Sequence, residues 1–332
     1  MMNEYGPAAI PVAGSFPGLM QGLHGEASPL LRLALERGPV RMAVVHPCDS
    51  PSLAALSAAW GAGLIDPVIV GPRERIQALA TAARIDLAGI EIDDVPHSHA
   101  AATRAVELAA RGHVRALMKG SLHTDELMSA VVRPESGLRT GKRISHCFLM
   151  QLPAYDHPFM ITDAAVNVAP DLEQKRGIVQ NAIDLAHALG LALPRVAILG
   201  AVETVNPQMR STLDAAALSK MADRGQLSGA LVDGPLGFDN AISVRAARLK
   251  GIASPVAGRA DILVVPDLEV GNMLVKQLEF LSGAASAGIV LGAKVPIVLT
   301  SRADSVSARM ASCALAALLA QHDGSADSAR SA

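Results

Sequence analysis

The chain has 332 residues, 50% of them hydrophobic but only 2% aromatic, with a formal net charge of -2. That length suits two domains better than one small core, and a near-neutral chain has no global basic field for nucleic acid. A core so poor in rings must be built from Ala, Val, Leu, Ile and Met, the composition of parallel sheets buried under helices on both faces.

Residues 1–26 are rich in Gly and Pro and read as an irregular N-terminal segment. They lack the basic flank and unbroken apolar run of a signal peptide, and no apolar stretch of the chain is long enough to span a membrane. Cys48, Cys147 and Cys313 are odd in number, far apart and form no CxxC pair. Reduced thiols in a cytoplasm are therefore expected, with no metal site built on cysteine.

From residue 27 the chain alternates strand-like and helix-like runs. Strands are expected at Arg41–His46, Pro67–Val70, Ile90–Ile92 and Arg115–Met118, with helices at Pro51–Ala62, Pro72–Arg84, Ser98–Arg111 and Thr124–Val132. This is the βαβ pattern of a doubly wound, mostly parallel sheet. The rhythm breaks at the polar loop Arg133–Arg143. Two strand-like runs follow with no helix between them, Ile144–Leu152 and Pro158–Thr162, as in an antiparallel excursion.

Alternation then resumes. Helices are expected at Asp171–Leu189, Pro207–Arg224, Asn240–Lys250, Val270–Ser282 and Asp304–Gln321, with Asp171 and Asp304 as N-caps. The intervening strands are Arg195–Leu199, Gly229–Val232, Asp261–Val265, Gly288–Leu291 and Pro296–Leu299. The expected organisation is an α/β chain of two domains with a cleft between them. A first domain covers residues 27–150 and is completed by about residues 300–322. A second covers 151–299, and 323–332 form a flexible polar tail.

Ligands bind at the carboxyl ends of strands in such sheets, so the strand exits are the candidates. The run Val295–Leu299 ends in Thr300, Ser301, Arg302 and Asp304. A hydroxyl, a guanidinium and a carboxylate within four residues can hold an anion and move a proton. Asp233 ends a strand and enters a Gly-rich loop reaching Asp239 and Asn240. Asp267, Gly271 and Asn272 follow another strand; Gly allows close backbone approach, and a helix N-terminus favours an anion. Lys119, Gly120 and Ser121 offer phosphate donors without the spacing of a P-loop. Each loop also has a plain reading as turn or cap chemistry, but their recurrence at strand ends points to one shared site facing a cleft. The histidines show no metal-ligand spacing, and neither a GxSxG elbow nor a GxGxxG turn after the first strand is present.

Asp233-Gly-Pro-Leu-Gly-Phe-Asp-Asn-Ala-Ile-Ser243, Ala260-Asp-Ile-Leu-Val-Val-Pro-Asp-Leu-Glu-Val-Gly-Asn272 and Leu299-Thr-Ser-Arg302, with Leu117-Met-Lys-Gly120 and Ile161–Asn167 in support, carry a resemblance. Over roughly residues 40–320 the chain resembles the phosphate acetyltransferase and phosphate butyryltransferase family. The resemblance implies two α/β domains of the isocitrate/isopropylmalate dehydrogenase type, usually in a homodimer. It implies acyl transfer between coenzyme A and inorganic phosphate, with coenzyme A and acyl phosphate as substrates and no tightly bound cofactor or metal. Ser301 and Arg302 match the pair at the family's reaction centre.

Two features of the acetyl branch are unmatched. An acid seven residues after the Ser is replaced by Ala308, and an Arg in the helix after the Lys-Gly loop aligns with Met128. Asp304 is then the nearest base, with Lys119, Ser121, Asp233, Asp267, Gly271 and Asn272 expected to line the substrate site. Two rival readings are a metal- and nicotinamide-dependent dehydrogenase on a related fold and a non-catalytic coenzyme A-binding homologue.

Overall fold

The computed structural model describes residues 15–20, 27–301 and 304–330, so Arg302 and most of the N-terminal segment lie outside the described residues. Helix α1 (Pro29–Glu36) is an element the sequence reading lacked; the Ser28 hydroxyl accepts the Leu31 N–H and caps it. There follow β1 (Val40–Val45), α2 (Ser50–Gly61), β2 (Ile65–Gly71), α3 (Arg73–Ala83), β3 (Glu91–Asp94), α4 (Ser98–Ala110), β4 (Ala116–Lys119) and α5 (Thr124–Val132). The expected antiparallel excursion is a hairpin of β5 (Ser145–Leu152) and β6 (Tyr155–Thr162).

Next come α6 (Leu172–Ala188), β7 (Arg195–Leu199), α7 (Arg210–Asp223), β8 (Leu231–Leu236), α8 (Phe238–Ile242) and α9 (Val244–Leu249). The chain continues through β9 (Ile262–Val264), α10 (Leu268–Ser282), β10 (Ala285–Leu291), β11 (Ile297–Val298) and α11 (Val306–Arg330).

The strands form one sheet in the order β3-β2-β1-β4-β11-β10-β5-β6-β9-β7-β8. Pairing is antiparallel at β11–β10, β10–β5 and β5–β6, and parallel elsewhere. These three reversals have a consequence for the site. β1–β4 and β11 all point one way, whereas β6, β9, β7 and β8 point the other.

Alternating strand residues explain the layers. Met42 and Val44 of β1 face a cluster that runs along the sheet and includes α2, α6 and α11. Ala43 and Val45 face a second cluster built with α4 and α5. Beneath β6, β7 and β9 a third cluster forms with α8, α9 and α10. Helix α11 is apolar on every side from Cys313 to Ala320, and Cys313–Leu318 are fully buried, as expected of a helix enclosed by the core.

Four local expectations change. The strand expected to stop at Val232 continues as β8 through Asp233-Gly-Pro to Leu236. Pro removes a ladder donor and is tolerated on an edge strand, and β8 is the last strand of the sheet. The helix expected over Asn240–Lys250 is two, broken at Ser243, whose extended backbone and hydroxyl cap start α9. Helix α10 begins at Leu268, two residues before the expected Val270, which puts Gly271 and Asn272 in its first turns. Helix α11 continues to Arg330, beyond the onset of the polar tail.

Candidate active site

The β11 exit is a closed turn. The Asp304 carboxylate accepts the Ser301 N–H at 2.7 Å, and the Asp304 N–H donates to the Ser301 carbonyl at 3.2 Å. Asp304 is therefore not the N-cap of α11. That role falls to Ser305, whose hydroxyl accepts the Ala308 N–H at 3.1 Å. Arg309, one turn into the helix and 3% exposed, donates to the carbonyls of Ser301 and Asp304 at 2.8 and 3.4 Å. The Ser301 side of the turn is exposed to solvent, and Asp304 is partly buried. Arg302, the expected partner of Ser301, lies outside the described residues.

Burial raises the Asp304 carboxyl above the usual aspartate range, and the Glu279 charge adds to it. The Ser301 N–H, the Lys276 ammonium and the Arg309 guanidinium pull the other way. Lys276 Nζ stands 4.0 Å from Asp304 and 2.9 Å from Glu279, which also accepts the Ser286 hydroxyl at 2.6 Å. A carboxyl desolvated this way is a better proton acceptor near neutral pH than a solvated aspartate. Beside it opens a cavity of about 540 Å³, lined by Lys276, Phe280 and Ser286 on one side and by Asp304, Ala308 and Ala311 on the other.

β4 and β11 are parallel neighbours, with Met118 opposite Val298. Lys119, Ser121 and the Ser301–Asp304 turn therefore share one sheet edge. Lys119 is 7% exposed, and its ammonium donates to the carbonyls of Gly120 and Leu122 at 3.1 and 3.2 Å. The Ser121 hydroxyl donates to the His46 carbonyl at 2.9 Å and accepts the Cys48 N–H at 3.2 Å. The N–H groups of Gly120 and Ser121 donate to the carbonyls of Val45 and His46. This loop is stitched to the exit of β1, and the donors suggested for phosphate are already engaged there. Gly120 is required by that stitch: a Cβ would sit 2.4 Å from the Val45 carbonyl oxygen.

The other expected site residues leave by the opposite edge, because the β5–β6 hairpin reverses the strands that follow. Asp267 is the N-cap of α10 and accepts the Val270 N–H at 2.9 Å. Gly271 lets the helix lie against the exit of β6; a Cβ there would meet the Asp163 carbonyl oxygen at 2.8 Å. Asn272 donates to the Ala164 carbonyl at 3.3 Å. Asp233 lies within β8 and accepts the N–H of Gly234 at 2.8 Å. Asp239 is in the first turn of α8, which Gly237 caps, and it stands 3.6 Å from Lys250.

The four loops thus divide into two sets rather than circling one strand edge. Helix α10 spans the interval: Asp267 caps one end, and Lys276 faces Asp304 about 13 Å further along at 1.5 Å per residue.

Sequence reasoning missed Lys276 and Arg309. Arg309 had a usable signal: it is the only charged residue between Val306 and Gln321 in a stretch of Ala, Leu and Ser. Among the described residues no group of three or more His, Cys, Asp or Glu is placed to hold a metal ion, and no helix is long and apolar enough to cross a membrane.

The chain is similar to known proteins over most of its length. A family model described as phosphate acetyl/butaryl transferase matches residues 96–317. A phosphate acetyltransferase of Rhizobium meliloti is 59% identical over 291 residues, 88% of this chain and 92% of that protein. The crystal structure of a branched-chain phosphotransacylase from Enterococcus faecalis V583 matches with a TM-score of 0.76 at 31% identity, covering 85% of this chain and 99% of that one. A 4-hydroxythreonine-4-phosphate dehydrogenase from Klebsiella pneumoniae matches with a TM-score of 0.53 at 14% identity, covering 85% of this chain and 100% of that one. The dehydrogenase-type α/β fold expected from the sequence is therefore shared.

Proposed function

The chain belongs to the phosphate acetyl/butyryl transferase family, and we propose that the Ser301–Asp304 turn is its reaction centre. As a phosphate acyltransferase it moves a short acyl group between coenzyme A and inorganic phosphate, acyl-CoA + phosphate = CoA + acyl phosphate. The observation that carries the siting is the partly buried, raised Asp304 carboxyl beside both Ser301 and an open cavity.

In the direction of acyl-CoA synthesis, Asp304 removes the coenzyme A thiol proton, since a free thiol has a pKa well above neutral. The sulfur attacks the acyl-phosphate carbonyl and a tetrahedral oxyanion forms. The Ser301 hydroxyl and the Arg302 guanidinium donate to the oxyanion and to the phosphate, where a forked, always-charged group is well suited. Collapse breaks the carbon–oxygen bond, and the electron pair leaves on phosphate. No covalent enzyme intermediate is required. Ala308 lines the same cavity where the acetyl branch has its acid, so the proton falls to Asp304, which lines that cavity from the turn before α11.

The apolar wall of the cavity, Phe280, Ala308 and Ala311, suits the pantetheine and acyl end of coenzyme A. Lys119 and Ser121 hold the neighbouring loop rather than the phosphate, Asp267, Gly271 and Asn272 shape the start of α10, and Asp233 shapes the edge strand β8. The proposed domains are 27–150, completed by about 300–322, and 151–299. A homodimer is the proposed assembly, which sedimentation of the purified chain tests.

The acyl group is acetyl. Identity of 59% to the acetyltransferase, against 43% to a phosphate butyryltransferase of Clostridium acetobutylicum, favours the smaller chain. Coenzyme A thiol consumption with acetyl, propionyl and butyryl phosphate tests this; a higher kcat/KM for butyryl than for acetyl phosphate refutes it.

A further inference from the structure

We propose that Arg309 is a positioning residue for acyl transfer, a buried strut from α11 that fixes the Ser301–Asp304 turn. The inference rests on the reading of that turn as the reaction centre. Arg309 is 3% exposed, and among the described residues it makes no ion pair. Its charge meets Asp304 only at a range that forms no ion pair, so its burial is costly, and an apolar side chain of similar length would fill the space without that cost. What the guanidinium adds is specific: it donates to the carbonyls of the two residues that frame the turn, Ser301 at 2.8 Å and Asp304 at 3.4 Å.

The base of the strut is itself fixed. One turn further along α11, the Ser312 hydroxyl accepts the Gly288 N–H of β10 at 2.9 Å and donates to the Ala308 carbonyl at 2.9 Å. A rigid path therefore runs from the sheet through Ser312 and α11 to Arg309 and the turn. The turn's own closure is local, made by the reciprocal bonds between Ser301 and Asp304. Without Arg309 the turn can close and still tilt as a unit. Arg309 is enclosed by protein, so it acts through the turn and not on the substrate.

Reacting groups displaced by about 1 Å lose about 10²-fold in rate. Arg309→Met is expected to lower kcat for phosphate-dependent acetyl-CoA consumption by about that factor. The KM for phosphate should stay within about threefold, because the groups that meet phosphate are retained. Arg309→Lys should recover part of the loss, since an ammonium can satisfy one carbonyl but not both. Lys175→Met is the control: it breaks an ion pair between α6 and α7 away from the turn, so it should lower the melting temperature and keep kcat.

Arg309→Met with wild-type kcat overturns the proposal, as does a loss no greater than that of Lys175→Met at equal destabilisation. If Arg309→Met does not fold, Arg309→Lys with unaltered kcat overturns it instead. Ser301→Ala measured alongside separates the two readings. If Ser301→Ala also turns over normally, the siting of the chemistry fails; if only Arg309→Met does, the strut alone fails.

Discussion

Ser301 and Asp304 hold each other twice: the Asp304 carboxylate accepts the Ser301 N–H at 2.7 Å, and the Asp304 N–H donates back to the Ser301 carbonyl at 3.2 Å. The carboxylate is thereby oriented by the residue beside which the acyl group is proposed to react. Because Ser305 caps α11, substitution at Asp304 tests chemistry without removing the helix cap. Asp304→Asn keeps an oxygen for the Ser301 N–H, yet cannot take a proton. Its turnover is expected to fall about 10²–10⁴-fold, the range for a positioned general base, with coenzyme A binding retained by calorimetry.

The same residue sets a pH dependence whose sign follows from burial. The Asp304 pKa is raised, and a base must be ionised to act. The wild-type rate should therefore fall as pH drops through a value above that of an ordinary aspartate, and Asp304→Asn should lack that limb. For stability the sign is opposite. A folded pKa above the unfolded one means that the native state holds the proton longer, so ionisation opposes folding as pH rises through the folded value. Asp304→Asn should therefore match or exceed the wild-type melting temperature at pH 7. A marked drop would show that the carboxylate charge stabilises the fold.

Between α6 and α7 lies an ion pair that has no part in the chemistry. Lys175 Nζ meets Asp214 at 2.7 Å, and their side chains are 6% and 10% exposed. Removing Asp214 strands the Lys175 ammonium in a site of low polarity, at a cost of about 3–5 kcal/mol, whereas removing Lys175 leaves Asp214 with Arg210 at 3.6 Å. Asp214→Leu should lose that much in denaturant unfolding, whereas replacing both residues with apolar ones should recover most of it.

The Ser121 hydroxyl joins the β4 exit to the carbonyl of His46 and the N–H of Cys48. Ser121→Ala leaves the His46 carbonyl its bonds from the Cys48 and Ser121 N–H groups, so it should cost only about 0.5–1.5 kcal/mol of stability. If the hydroxyl is a latch, the KM for phosphate stays near wild type. A rise of tenfold or more at unchanged stability would return Ser121 to the substrate site.

Much of this architecture is written in the sequence, because buried strands and amphipathic helices alternate with periods a reader can follow. The β5–β6 hairpin was visible as two strand-like runs with no helix between them. Its effect on direction was not. Each loop could be assigned to a strand end, but which sheet edge that end occupies depends on the number of antiparallel pairings between Lys119 and Asp267. Gly and Pro around Asp233 read as a loop because they weaken a central strand, and only the position of β8 at the sheet margin makes them tolerable there. Ser301 and Asp304 stood out by chemistry. Lys276 did not, since its approach to Asp304 is made across helices distant in sequence.

The measurement that bears most directly on the siting of catalysis is kcat/KM of Arg302→Ala for acyl transfer between acetyl-CoA and phosphate. Charge-assisted hydrogen bonds contribute about 1.5–3 kcal/mol each, so losing a forked donor from the phosphate should lower kcat/KM by about two orders of magnitude or more. Arg302→Lys should restore only part of it. Near-native kcat/KM in folded Arg302→Ala would contradict the account and move the reaction centre away from the β11 exit.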